Sequence, residues 1–135
     1  MTGLALDELD RLAEDAVPAD VGDAVDAREA MSLPEAPPGN VWAGLLAELA
    51  ARTAEGCTRL TELLGRPEGV VVFGGGSVSE PWMAAKAARL GVPLRRSTVA
   101  SAVARGAAVH AGVTAGWWES IDQAPAPEAQ LVRTP

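Results

Sequence analysis

Three consecutive glycines and a serine, Gly74, Gly75, Gly76 and Ser77, are the residues of this chain best suited to contact a ligand. A turn without Cβ atoms can adopt positive φ, and its amides can face a ribose, an adenine edge or a phosphate. The same glycines can instead make a tight turn where a helix packs closely against a strand. The residues alone leave both interpretations open, because a short glycine motif is a weak signal.

The residues on either side of the glycines predict a strand, a turn and a helix. Residues 70–73 are β-branched or aromatic and do not alternate with polar residues, which predicts a strand covered on both faces, as in a parallel sheet. Ser77 or Ser79 can cap the helix that follows. This helix is expected to end at Leu90, before a second strand at 92–96. A crossover helix between the two strands favours parallel pairing.

Hydrophobic residues at three- and four-residue steps predict three further helices, at 2–16, 41–64 and 98–116. Ser97 or Thr98 is expected to cap the last of them. The segment 17–40 is rich in Asp, Ala and Pro, which predicts an irregular connection with a weak strand near 24–27. Together these elements predict an α/β fold with a short sheet and surrounding helices.

The composition argues against several classes of protein. A chain of 135 residues suits one domain. Its net charge of −7 and its lack of a basic cluster argue against a surface for nucleic acid or for an anionic membrane. A single cysteine, Cys57, rules out an internal disulfide and suits a reducing compartment. Because the sequence has no apolar run of ~20 residues and no signal-peptide pattern, we expect a cytoplasmic protein.

Several motifs occur in an order and at spacings that resemble the C-terminal domain of the FGGY carbohydrate kinases, with xylulokinase- and gluconokinase-like members as the nearest pattern. The motifs are Gly-Gly-Gly-Ser at 74–77, Trp82, Leu-Gly-Val-Pro at 90–93 and Ala-Arg-Gly-Ala-Ala at 104–108, with Glu55-Gly56 upstream. The resemblance is strongest over 40–118 and predicts one domain over 1–120. The prolines of 121–135 predict a mobile tail there. It implies a fragment or a truncated member of the family.

The resemblance implies a partial actin-like ATPase domain, related to the ribonuclease H fold, that binds ATP, with Mg²⁺ in the complete enzyme. It assigns residues 74–77 to the adenosine-side turn, where they would contact adenine and ribose through the backbone. It also places Ser79 and Glu80 near the same edge. Arg105 and Gly106 match a helix that packs near the nucleotide cleft in the family.

The catalytic chemistry of the family lies in parts that this sequence does not match. The catalytic Asp, the sugar-binding residues and the phosphate-binding loop belong to those parts, so no catalytic residue is predicted. The implied function is the nucleotide-binding C-terminal half of a sugar or polyol kinase, which acts on a sugar only together with the missing N-terminal half. His110 has no Cys, Asp or second His at a ligand spacing, and no metal site is predicted.

Two other functions fit parts of the sequence. Gly74-x-Gly76 after a strand is typical of a dinucleotide-binding βαβ unit, although Ser79 stands where the third glycine belongs. In that unit Arg95-Arg96 could take the 2′-phosphate of NADP. Alternatively, the chain is a non-catalytic interaction module derived from a kinase. It would then bind a partner chain or a second copy through an apolar face that includes Trp117-Trp118.

Overall fold

The structure, a computed structural model, describes residues 4–22, 36–99 and 101–132. Within these ranges lie four α-helices and three strands. The helices are α1 (Leu6–Ala13), α2 (Pro38–Leu64), α3 (Glu80–Leu90) and α4 (Ala102–Thr114), and the strands are β1 (Val70–Val72), β2 (Leu94–Ser97) and β3 (Ala129–Leu131). Two short 3₁₀ helices, Gly75–Val78 and Ile121–Gln123, follow β1 and α4.

The described strands form one mixed sheet in the order β1-β2-β3. Strand β1 runs parallel to β2, with Val70 opposite Leu94, and β3 runs antiparallel to β2, with Ala129 opposite Ser97. A parallel pair needs a crossover connection, which α3 supplies. The predicted unit of strand, turn, helix and parallel strand is confirmed, and so is the α/β class in the form of a small mixed sheet with helices.

Strand β1 is less covered than its sequence predicts. Val71 is 51% exposed, and Phe73, directly after the strand, is 61% exposed. Val70 and Val72, whose side chains point to the opposite face of the sheet, are only half-buried. The prediction of a strand covered on both faces is therefore wrong for the part of the chain that the structure describes. An unbroken apolar run indicates high β-propensity, but it does not indicate which elements pack on the strand.

Helix α2 contacts both α1 and α3, and its first half supplies much of the described core. Val41, Leu45 and Leu46 of this half are almost completely buried. Two glycines in the same half bring the backbone of the N-terminal segment close to the helix. A Cβ on Gly39 would overlap the carbonyl group of Leu12, and a Cβ on Gly44 would overlap that of Ala19. The N-terminal segment therefore packs on α2 with no side chain between the two backbones.

The cap of α4 differs from the prediction. Ser101 occupies the N-cap position, and its Oγ accepts a hydrogen bond of 3.2 Å from the amide of Ala104. The predicted caps are both engaged at the end of β2. The Oγ of Ser97 accepts from the amide of Val99 at 3.2 Å, and Oγ1 of Thr98 donates to the carbonyl of Glu128 at 3.2 Å. These bonds hold both side chains at the end of β2, so neither of them caps α4, and the helix begins after Ser101.

The secondary structure near the two ends of the described chain also differs from the prediction. Helix α1 has 8 residues and is shorter than the helix predicted at 2–16. Strand β3 lies inside the predicted tail at 121–135, where it pairs with β2. The boundary at residue 120 stays a prediction, and the weak strand predicted at 24–27 lies outside the described residues. No helix in the described ranges is both long and apolar enough to cross a membrane.

We expect Gly44→Ala to destabilise the fold, because the new methyl group would overlap the Ala19 carbonyl and force the backbones apart. Overpacking of this kind typically costs about 1–3 kcal/mol. Gly56→Ala is the matched control, since Gly56 lies on the same helix and a Cβ there would have no neighbour within 4 Å. Urea unfolding followed by circular dichroism should give a lower free energy of unfolding for Gly44→Ala than for Gly56→Ala. Equal values would show that the close contact does not constrain the fold.

Candidate functional site

The glycine turn is held by hydrogen bonds to the carbonyl oxygen of Gly74. The amide of Ser77 donates to this oxygen at 3.0 Å, and the Ser77 hydroxyl donates to it at 2.7 Å. Gly74 has φ of 91°, a region that favours glycine. Ser77 is buried, with 8% of its surface exposed. Gly74 and Ser77 therefore fix the shape of the turn from its inner side.

The two central glycines of the turn have different surroundings. A Cβ on Gly76 would overlap the ring of Trp82, so this glycine is required by packing. A Cβ on Gly75 would meet no atom within 4 Å, and the φ of Gly75 is not positive. The backbone at Gly75 is therefore open to an approaching molecule, while the positive φ expected of such a turn lies at Gly74.

The turn leads directly into α3, whose start is capped and charged. The Oγ of Ser79 accepts a hydrogen bond of 3.3 Å from the amide of Trp82, which confirms one of the two predicted caps. Glu80, in the first turn, accepts a 2.6 Å hydrogen bond from Nη1 of Arg96. This bond lowers the pKa of the Glu80 carboxyl and raises the pKa of the Arg96 guanidinium. Both groups reach solvent, so the pair adds at most about 1 kcal/mol of stability.

The Trp82 ring is fixed from two sides. One edge of the ring lies on the backbone of Gly76, and Nζ of Lys86 lies 3.6 Å from the ring centroid, in a cation–π contact. Partial burial lowers the pKa of the Lys86 ammonium. Because Trp82 is held in this way, it gives the glycine turn a rigid apolar neighbour.

A cavity of about 750 Å³ lies between the glycine turn and the helices α1 and α2. Gly75 and Gly76 line it together with the start of α3, whereas Gly74 and Ser77 do not. Apolar side chains of α2 and α3 make up much of the wall, namely Trp42, Leu45, Leu46, Leu49 and Trp82. Ser79 and Glu80, predicted to lie near the same edge, also line the cavity. The structure thus brings half of the predicted turn residues to a single apolar pocket.

Sequence reasoning missed the contribution of α1 and of Trp42 to this cavity. Trp42 packs against the buried core cluster, and it also lines the cavity. Its Nε1 donates a 2.7 Å hydrogen bond to Oδ1 of Asp10, 32 positions earlier in the chain. No periodicity or motif links two residues at that separation, so the sequence held no signal for this contact.

Two further residues from the sequence prediction lie away from the cavity. Arg105 donates a hydrogen bond to the carbonyl of Pro125, and Gly106 is exposed, so neither lines the pocket. Among residues 4–22, 36–99 and 101–132, no three His, Cys, Asp or Glu side chains come together as a metal site. The candidate site is therefore the cavity built from the glycine turn and the apolar walls of α2 and α3.

The two central glycines should respond differently to the same substitution. Gly76→Ala should destabilise the fold by about 1–3 kcal/mol, because the Trp82 ring must move from its packed position. Gly75→Ala, its matched control, should change the free energy of unfolding by less than about 0.5 kcal/mol, since its methyl group enters open space. Urea unfolding and near-ultraviolet circular dichroism of the tryptophans measure both effects. If Gly75→Ala lowers the free energy of unfolding as much as Gly76→Ala does, the expected difference between the two glycines is contradicted.

The family model for the C-terminal domain of the FGGY family of carbohydrate kinases matches residues 16–115. The match spans α2, β1, the glycine turn, α3, β2 and α4, and it begins after α1. The comparison with curated proteins gave no significant match. Since the family model covers most of the chain, the protein belongs to the FGGY family of carbohydrate kinases, through the C-terminal domain of that family.

Proposed function

We propose that this chain is the nucleotide-binding C-terminal part of an ATP-dependent sugar or polyol kinase, and that the turn 74–77 contacts the adenosine part of ATP. The observation that carries the proposal is the exposure of the Gly75 backbone to a large cavity, in a chain that belongs to a kinase family. In this turn a ligand can touch backbone atoms at Gly75 while Gly74 and Ser77 hold the shape.

The chemistry of the cavity suits a flat, mostly apolar ligand group. Its volume lies within the range of about 300–1,000 Å³ that is usual for small-ligand pockets. Trp42 and Trp82 supply aromatic surface, and leucines of α2 supply aliphatic surface. An adenine ring combines such an apolar face with hydrogen-bonding edges, which the backbone of the turn can meet. The cavity therefore supports binding of the nucleoside end of ATP.

The family also supports a fold and a metal requirement for the complete kinase. We propose an actin-like ATPase domain, of which β1, α3 and β2 form one parallel unit. Kinases of this family use ATP, typically with Mg²⁺. The described residues hold no cluster of metal ligands, so we propose that Mg²⁺ enters with the phosphates of ATP and not at a site on these residues.

The two alternative functions receive less support. Of the two arginines that an NADP site would use at the end of β2, Arg96 is bound to Glu80, whereas Arg95 is exposed. The interaction module would use the tryptophan pair, of which Trp117 is 75% exposed while the ring of Trp118 lies on Gly112. Binding of a partner chain or a second copy stays a prediction, as does the cytoplasmic location.

Gly75→Ala should weaken ATP binding about tenfold or more, which corresponds to ~1.4 kcal/mol. The physical reason is that the methyl group occupies the open space through which the ligand reaches the backbone. Isothermal titration calorimetry of the 135-residue chain with ATP measures the effect. Gly56→Ala, also in open space but outside the cavity, should leave the affinity within about twofold. Equal ATP affinities for Gly75→Ala and the unmodified chain would show that the glycine turn serves packing alone.

The chain by itself should not phosphorylate a sugar. Phosphoryl transfer to a hydroxyl needs a carboxylate that accepts the hydroxyl proton and groups that hold the phosphates, and neither is predicted in this sequence. A coupled assay for ADP release with ketoses, aldoses and polyols tests this, with protein from a host strain that lacks sugar kinases. Sugar-dependent ADP release above the level without protein would overturn the prediction.

A further inference from the structure

Helix α1 supplies one wall of the candidate nucleotide cavity, although it lies outside the residues that match the family model. The helix spans Leu6–Ala13, whereas the match starts at residue 16. Leu6, Asp7, Asp10, Arg11 and Glu14 of this segment line the cavity. The properties of this wall are therefore features of this chain and do not follow from the family assignment.

The wall formed by α1 is held firmly against α2. Leu9 and Ala13 are buried, each with 6% of its surface exposed. The backbone of α1 at Leu12 packs directly on Gly39, and Asp10 accepts the hydrogen bond from the Trp42 indole. These contacts hold α1 against α2 in its middle and at its C-terminal end, so the helix forms a defined wall of the cavity.

These side chains give the cavity a negative rim. Four carboxylates and one guanidinium line it, in a chain with a net charge of −7. Asp10 is bound to Trp42 and Glu80 is bound to Arg96. Asp7 and Glu14 are exposed and have no ion pair among the described residues, so their charges act on whatever enters. Arg11, the only cation among the described residues that line the cavity, offsets one of these charges.

We propose, on the basis of the nucleotide-binding function proposed above, that this acidic wall makes the cavity select the uncharged nucleoside end of a ligand and repel its polyphosphate. The apolar surfaces and the open backbone at Gly75 attract a base and a ribose, while like charges repel a triphosphate that enters the same space. The bound ATP then has its adenosine inside the cavity and its phosphates directed out of it.

Titration of the chain with adenosine and with magnesium-free ATP at several salt concentrations tests the proposal. Between about 20 and about 300 mM salt the Debye length falls from about 20 Å to about 6 Å, so repulsion between exposed charges is screened. The ATP affinity should rise at least about threefold over this range, whereas the adenosine affinity should stay nearly constant. At low salt, adenosine should bind more tightly than ATP.

The double variant Asp7→Asn, Glu14→Gln should bind ATP more tightly at low salt and should lose most of the salt dependence. Its matched control is Glu8→Gln, Asp15→Asn, which removes the same charge from the neighbouring positions, where both side chains are exposed but neither lines the cavity. The control should keep most of the salt dependence. Circular dichroism confirms that all variants are folded.

Four results would overturn the inference. An ATP affinity that falls with rising salt would mean that phosphate contacts a cation such as Arg11. An ATP affinity that falls in the Asp7→Asn, Glu14→Gln variant would mean that the carboxylates assist the nucleotide. Adenosine and ATP could both bind, with Gly75→Ala lowering both affinities, while neither salt nor the double variant alters ATP binding. In that case the nucleotide site stands and only the acidic selection fails. If neither adenosine nor ATP binds, the proposed function fails and this inference fails with it.

Discussion

The close contact between α2 and the N-terminal segment is the constraint on which the cavity depends. Gly39 and Gly44 lie on the face of α2 that touches the backbone of this segment at Leu12 and Ala19. A side chain at Gly39 would push α1 away from α2, and one at Gly44 would displace the segment that follows α1. Trp42 lies between the two glycines and adds a directional bond to Asp10, which sets how α1 is placed along the helix.

The glycine turn on the opposite side of the cavity shows how one short motif serves several physical needs. Gly74 provides the positive φ, Gly76 makes room for the Trp82 ring, and Gly75 leaves its backbone open. Close packing at Gly76 and an open backbone at Gly75 therefore occur in adjacent residues. Ser77 links these needs, because its buried hydroxyl closes the turn on Gly74.

Much of the local structure could be predicted from the sequence, because it depends on interactions between residues near in the chain. The β-branched run at 70–72, the Ser79 cap and the stop of α3 at Gly91 follow from backbone preferences that act over a few residues. The parallel pairing of β1 with β2 follows from the crossover between them. The order of motifs also indicated the family, which the match over residues 16–115 confirms.

The tertiary structure alone decided which of these elements are covered and which side chains meet at the site. Leu63 and Leu64 continue the apolar period of α2 but are exposed, and so is Val71 of β1, because no described element covers these side chains. The contact of Trp42 with Asp10 joins residues that are distant in sequence, and local preferences carry no information about such pairs. The sequence by itself determined β1, the glycine turn, α3, β2 and their order, because these follow from local preferences, whereas long-range packing determined β3 and the acidic and apolar walls of the cavity.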